Sequence, residues 1–303
     1  MNAKLFFMLL SFSIFTGATF NLAKYTVDYF SPFAAAAWRF GLAAMVMVAA
    51  ILLIKERGKT GFLKHHAMMY TILGVIGIFG FNALFFLGMK FTSPVNGALI
   101  MATNPLITTI FSKYILGTPI SKQQAWGISF SLLGVIFVLT QGSWSVISNL
   151  SFSVGDMLIL LGNVCWALYG VLGRRYLRNS SSLQTTTSTM VAGACFLVML
   201  SSVTPHPQPV SGVPVEAWGA IAFMAFFTTV LGYLFWNEGV KAIGASKTSI
   251  FFNVVPVVTM ILSWLSGMSV TWIQIGGAVL VFVGVVFASG ISFRGKRQYV
   301  AAK

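Results

Sequence analysis

Ten stretches of roughly twenty apolar residues run through this chain with almost no charge, the length an α-helix needs to cross the hydrocarbon core of a bilayer. They fall near residues 5–23, 33–54, 67–89, 94–116, 124–141, 155–173, 184–204, 217–238, 245–266 and 272–291. Only Lys90–Pro94 separates the third from the fourth. A soluble domain is about one-quarter charged; this chain is 8% charged and 57% hydrophobic. So few charges cannot solvate so much apolar surface, and a water-soluble globule is excluded. The expected fold is an all-α integral membrane protein. Lys4 followed by Leu5–Phe15 resembles the apolar part of a signal peptide, but no secreted domain follows, and it reads as an uncleaved first span.

The basic residues give the orientation. With the N-terminus in the cytoplasm, sixteen of the nineteen Lys and Arg fall on the inner side. They cluster at Lys55–Lys64, Arg174–Arg178 and Arg294–Lys303, with Lys4, Lys113, Lys122, Lys241 and Lys247 between. Lys24 and Lys90 lie outside, and Arg39 lies within the second span. A wrong span count would move every later loop to the other face and scramble this asymmetry. The net charge of +14 thus records insertion into a membrane and implies no nucleic-acid partner. Both termini are expected in the cytoplasm. Gln141–Ser153 and Thr204–Val215, two outer loops, carry no charge; Asn149-Leu150-Ser151 in the first is formally a glycosylation triplet of little weight.

The halves repeat. Leu84–Lys90 aligns with Phe235–Lys241, placing Gly88 on Gly239, Lys90 on Lys241 and Pro105 on Pro256 at an offset of 151. Gly117, Gln124, Gly127 and Gly134 then match Gly267, Gln274, Gly277 and Gly284 at an offset of 150. Five spans per half is an odd number, so the second half inserts upside down. Two inverted five-helix repeats are expected, in residues 1–150 and 151–303. Inverted repeats characterise secondary transporters, whose site lies between the halves near the midplane.

Phe15-Thr16-Gly17-Ala18-Thr19-Phe20-Asn21, Arg39-Phe40, Cys165-Trp166-Ala167-Leu168-Tyr169 and Trp236-Asn237 follow one another in an order that resembles the EamA-type branch of the drug/metabolite transporter superfamily. The resemblance covers essentially the whole chain. It implies ten helices around a central cavity and export of amino acids or other small metabolites. Members commonly have Trp where this chain has Thr16, and Gly-Glu where it has Gly117-Thr118 and Gly267-Met268, so no role of those carboxylates carries over.

Candidate residues are the polar and aromatic ones inside apolar runs, which should face the bundle interior. Pro105 and Pro256 interrupt spans four and nine at matched places and point to a central site, with Asn104 and Asn253 beside them. Asn21, Asn82, Asn163 and Asn237 either line a cavity or bond between helices. Trp38, Trp166, Tyr169, Tyr233 and Trp236 can stack on a flat or cationic substrate; Trp236 also suits an interfacial belt. Asn163, Trp166 and Tyr169 form a drifting stripe on span six. Arg39 either binds a substrate carboxylate or snorkels outward. Glu238 is the one acid near a span interior, a candidate for proton coupling or a partner for Lys241. Asp28, Glu56 and Glu216 sit at loop edges, and Asp156 complements a helix N-terminus.

The alternatives are a multidrug or cation exporter, a channel-like facilitator, or a membrane-embedded lipid enzyme. His65, His66 and His206 lie in loops with no acid at ligand spacing, so no metal site or cofactor is expected. Cys165 and Cys195 lie in apolar runs and read as packing residues rather than a disulfide. No P-loop is present. Expected partners are a small-molecule substrate and membrane lipid, the chain acting as a monomer or homodimer.

Overall fold

A computed structural model describes residues 3–54, 60–120, 122–139, 153–204 and 212–289. The Asn149–Ser151 triplet, His65 side chain and His206 lie outside what is described. Every regular element among the described residues is helical. In chain order these are α1 (Ala3–Thr26), α2 (Pro32–Leu53), α3 (60–91), α4 (Pro94–Leu116) and α5 (Lys122–Leu139). The second set is α6 (Val154–Tyr176), α7 (Ser182–Ser202), α8 (Val215–Ile243), α9 (Ala245–Leu265) and α10 (Trp272–Ser289). Eight are long and apolar enough to cross a membrane; α5 and α10, of 18 residues each, complete the set as apolar helices packed on one another.

Local chemistry sets the boundaries. Ser31 and Ser93, each followed by proline, cap α2 and α4 by accepting from the backbone N–H of Ala34 and Asn96. Ser153 and Ser181 do the same for α6 and α7. A serine cap satisfies one orphan donor at the helix start, and proline at the first helical position loses nothing there. The Ser93-Pro94 pair is what separates α3 from α4 across so short a link. At the opposite ends, Gly117 and Gly267 adopt φ +70° and +80° after α4 and α9, a left-handed turn in which any side chain would be strained. These two glycines are repeat mates.

The inversion is visible in which ends meet. Lys4, Arg174 and Lys241 gather at one end: Arg174 Nη1 donates to the carbonyls of Val240 and Lys241 where α6 and α8 finish, and Lys4 shares a hollow with Lys241. Lys24 and Asp156 lie at the other, where Lys24 Nζ donates to the Met89 carbonyl and Asp156 accepts from Thr92 Oγ1. Helix α1 therefore starts at the basic end and α6, its counterpart, finishes there. Helix contacts obey the same exchange: α1 packs on α9 and α8, as α6 packs on α4 and α3, while α2 pairs with α7 and α5 with α10. The α3–α6 approach is close because Gly88 and Gly155 face each other; a Cβ on Gly155 would sit 2.6 Å from the Gly88 carbonyl oxygen. Small residues at such crossings let helices pack through backbone contact in lipid.

Both halves also share irregularities. Gly74–Gly80 in α3 and Met224–Leu231 in α8 are π-helical, at the repeat spacing. Helix α4 breaks at Ala102-Thr103, and α9 tightens into a 3-10 turn at Ile250–Asn253. Pro105 and Pro256 thus stand in the first turns of the second segments rather than bending continuous helices.

Candidate functional site

Helices α1, α2, α3, α4, α6, α8 and α9 converge on a narrow central cavity of about 30 Å³, whose lining includes Thr16, Thr19, Met101, Trp166, Thr228 and Tyr233. That is room for about two waters. Arg39 reaches it from α2 and is 3% exposed. Its Nε donates to Thr229 Oγ1 at 2.7 Å, and the guanidinium lies 5.1 Å from the Phe40 ring centroid and 5.8 Å from that of Phe86. The snorkelling reading of Arg39 is therefore not what the structure adopts. Thr229 sits in the π-helical stretch of α8, where its hydroxyl also donates to the Met224 carbonyl five residues back. π-helical turns recur at functional sites; here one aims a hydroxyl at a buried cation. No acid forms an ion pair with Arg39 among the described residues.

Trp166 is the hub of the aromatic wall. Its ring meets Tyr233 edge-on at 4.8 Å, Trp236 at 5.2 Å and Phe81 at 5.0 Å, and stacks parallel to Phe12 at 6.5 Å. Its indole N–H and the Thr16 hydroxyl are buried without a hydrogen-bond partner. Counting from the matched caps Ser31 and Ser181, Thr16 is the repeat mate of Trp166, and Arg39 that of Thr189. The halves agree in backbone and differ in chemistry at these two places: the first half has a hydroxyl where the second has an indole, and a cation where the second has a hydroxyl.

A second polar cluster continues from Tyr169 toward the basic end. Asn237 Nδ2 donates to Tyr169 Oη and Thr186 Oγ1, both at 2.9 Å, and Tyr169 Oη lies 3.3 Å from Thr189 Oγ1. Asn82 Nδ2 joins the Tyr233 hydroxyl at 3.2 Å and the Ile78 carbonyl at 2.8 Å. The remaining asparagines hold helices together. Asn104 Nδ2 donates to Asn163 Oδ1 at 2.7 Å, while Asn163 Nδ2 donates to the Ile100 carbonyl and to Thr103 Oγ1 at the α4 break. In the mirror position, Ser13 Oγ donates to the Phe251 carbonyl at the α9 irregularity. Asn21 binds α9 through the Thr259 carbonyl and Ser263. Asn253 donates to the Ile250 carbonyl, with its Oδ1 buried and unpaired.

The sequence candidates therefore separate. Arg39, Trp166 and Tyr233 share the central cavity, with Trp236 behind Trp166 and fully buried rather than interfacial. Tyr169, Asn82 and Asn237 extend it. The stripe on α6 splits three ways: Asn163 clamps α4, Trp166 walls the cavity and Tyr169 joins the second cluster. Trp38 faces outward, 41% exposed against Trp218, on an apolar groove of about 490 Å³ between α2 and α7. That groove is larger than the central cavity but lacks converging polar groups. Glu238 lines a hollow of about 590 Å³ at the basic end and accepts from Ser182 Oγ at 2.5 Å; it makes no salt bridge with Lys241. No group of three His, Cys, Asp or Glu able to hold a metal exists among the described residues, and both cysteines are free thiols. Thr16, Thr19, Thr228 and Thr229 were not singled out for the site by sequence, because a hydroxyl in an apolar run carries no distinguishing signal. The departure at Thr16 was the one available hint.

Two helical repeats of opposite orientation, matched helix irregularities and a largely aromatic cavity holding one buried cation define a polytopic membrane transporter. The chain matches the EamA-like transporter family over residues 3–140 and again over 153–290, and it belongs to that family. It is 60% identical over 290 residues to the Bacillus subtilis protein named uncharacterized transporter YyaM, covering 96% of this chain and 95% of that one. An uncharacterized transporter of Archaeoglobus fulgidus is 27% identical over 272 residues, covering 89% and 93% of the two chains. One solved crystal structure shares the fold at a TM-score of 0.68 and 17% identity, covering 95% and 97%.

Proposed function

We propose that the protein is a secondary transporter that moves small amphipathic metabolites, amino acids among them, out of the cell across a bacterial inner membrane. The observation that carries this reading is the buried guanidinium of Arg39 on a cavity between the repeats. A charge inside a bundle is costly and marks a substrate path by default. The cavity is too small for a metabolite as it stands, so entry requires α3, α4, α8 and α9 to shift about their π-helical and broken segments. Because those irregularities are paired by the repeat, opening toward one end has a counterpart toward the other, which is the geometry of alternating access. No ion pair ties Glu238 to the cavity, so transport down a metabolite gradient is favoured over proton coupling.

The test is counterflow in liposomes holding the purified full-length protein. A metabolite panel should include compounds that enter faster than into empty vesicles and whose uptake accelerates when the same compound is loaded inside. A channel would give uptake without that acceleration. If no compound outpaces empty vesicles, the reading is wrong.

A further inference from the structure

Hydrogen-bond arithmetic at the cavity is lopsided. Guanidinium carries five N–H donors and no acceptor; one donates to Thr229, and the terminal amino groups have no partner among the described residues. The Trp166 indole, a donor only, is 2% exposed and unpartnered, and the Thr16 hydroxyl is unpartnered too. On the acceptor side, the Thr19 and Thr228 hydroxyls lie 2.8 Å apart and 3.0 and 3.1 Å from the Phe15 carbonyl, so one of their two protons joins them and the other goes to that carbonyl. Thr229 already accepts from Arg39. No carboxylate lines the cavity. Buried donors without acceptors cost free energy until a ligand supplies them, and ionised acceptors do so best.

From this we propose that the central cavity binds an organic anion: a monocarboxylate with an apolar or aromatic tail, its carboxylate on Arg39 and the Trp166 N–H, its tail among the rings of Phe12, Phe85 and Phe252. The proposal rests on the transport reading of the same cavity and narrows it. An amine finds no acid here, and the cation repels it. A zwitterion matches less well, since its ammonium meets hydroxyl oxygens, Thr16 Oγ1 among them, but no carboxylate. The order of affinity is carboxylate, then amino acid, then neutral amide, with the amine weakest. Arg39 comes from the first half and Trp166 from the second, so the carboxylate would sit between the repeats.

The experiment is calorimetric titration of the purified full-length protein with phenylacetate, phenylalanine, phenylacetamide and phenethylamine, which share a ring and differ chiefly in charge. Phenylacetate should bind about ten-fold or more tightly than the isosteric amide, the scale of one charge-assisted hydrogen bond. Arg39→Gln should erase that preference. Arg39→Lys keeps the charge but loses the fork, so it should keep a weaker preference. Trp166→Phe keeps a ring and removes the N–H, and should weaken phenylacetate several-fold while leaving the amine unchanged. Should Arg39→Gln not fold, the other two variants carry the test. Equal affinity for carboxylate and amide in the wild type overturns the proposal, as does tighter amine binding or no phenylacetate binding at millimolar concentration. Counterflow with the same four compounds separates the two readings: transport of amide or amine but not carboxylate sinks the anion and spares the transporter, whereas carboxylate binding without any transport does the reverse.

Discussion

Asn82 and Tyr233 are 151 residues apart, the offset that superposes the two repeats, and they hydrogen-bond to each other at 3.2 Å. Two positions that are images under a pseudo-two-fold operation can touch only where the axis passes between them. The bond therefore marks the axis, and Tyr233 also lines the central cavity.

The bond should register as coupling. Asn82→Ala and Tyr233→Phe each remove one side of it, and a double-mutant cycle isolates the shared part. Interhelical hydrogen bonds within membranes average about 0.6 kcal/mol by this method. We expect a coupling of that size in unfolding free energy measured in bicelles, and a larger effect on counterflow rate than on substrate affinity. Fully additive stabilities would mean that the contact contributes nothing.

A steric prediction concerns Gly77, in the π-helical stretch of α3. A Cβ there would lie 2.3 to 2.5 Å from Cδ2, Cγ and Cβ of Tyr169. Those atoms are the root of a buried ring whose hydroxyl is held by Asn237, so the ring cannot swing clear. Gly77→Ala should cost about 1–3 kcal/mol, as overpacking usually does. Gly41→Ala is the control, because nothing lies within 4 Å of its added methyl. Thermal unfolding in detergent should show a clear loss for the first and little change or a small gain for the second.

Orientation can be read chemically. With both native cysteines replaced by alanine, a cysteine at Lys24 should react with a membrane-impermeant maleimide added to intact cells. One at Lys241 should react only after the membrane is broken. Both side chains stand at bundle ends, Lys24 at the charge-poor end and Lys241 at the basic end. The opposite pattern would reverse the inside assignment that the Lys and Arg distribution supports.

Span positions and the repeat were legible in the sequence because a bilayer imposes length and charge rules on every helix. Side-chain phase was not. Helix α2 is apolar on all sides, so hydropathy does not tell its inward face from its outward one. Trp38 and Arg39 are neighbours, yet the tryptophan faces the outer groove and the arginine the cavity. The pairing of Asn104 with Asn163 and the partner of Arg39 depend on tertiary register, which one sequence does not encode visibly. The irregular segments left half a trace: matched prolines announced the breaks in α4 and α9, but no residue signals a π-helical turn.

Glu238 tests the coupling mechanism. Its carboxylate accepts from Ser182 Oγ near Lys4 and Lys241, outside the central cavity. Glutamine keeps an oxygen for that bond but cannot exchange a proton. Glu238→Gln should leave counterflow close to the wild-type rate, and an imposed pH gradient should not drive accumulation in either protein. Gradient-driven accumulation that disappears in Glu238→Gln would instead establish proton coupling through this residue.

Thr16 gives the sharpest test of the cavity. It is the repeat mate of Trp166, it lines the cavity with that ring, and its hydroxyl has no partner. The EamA-type resemblance implies tryptophan at this place, a residue larger than the threonine. In this chain the space beside Trp166 is what the threonine leaves open. Thr16→Trp should fill it and reduce substrate affinity and counterflow about ten-fold or more, the cost of one or two kcal/mol of lost contact. The indole exceeds the room of the cavity, so thermal stability should fall as overpacking makes it fall, by about 1–3 kcal/mol. Thr16→Ser, which preserves both the hydroxyl and the space, should transport nearly as well as the wild type. If Thr16→Trp transports normally, the substrate does not pass Trp166, and the central cavity is not the site.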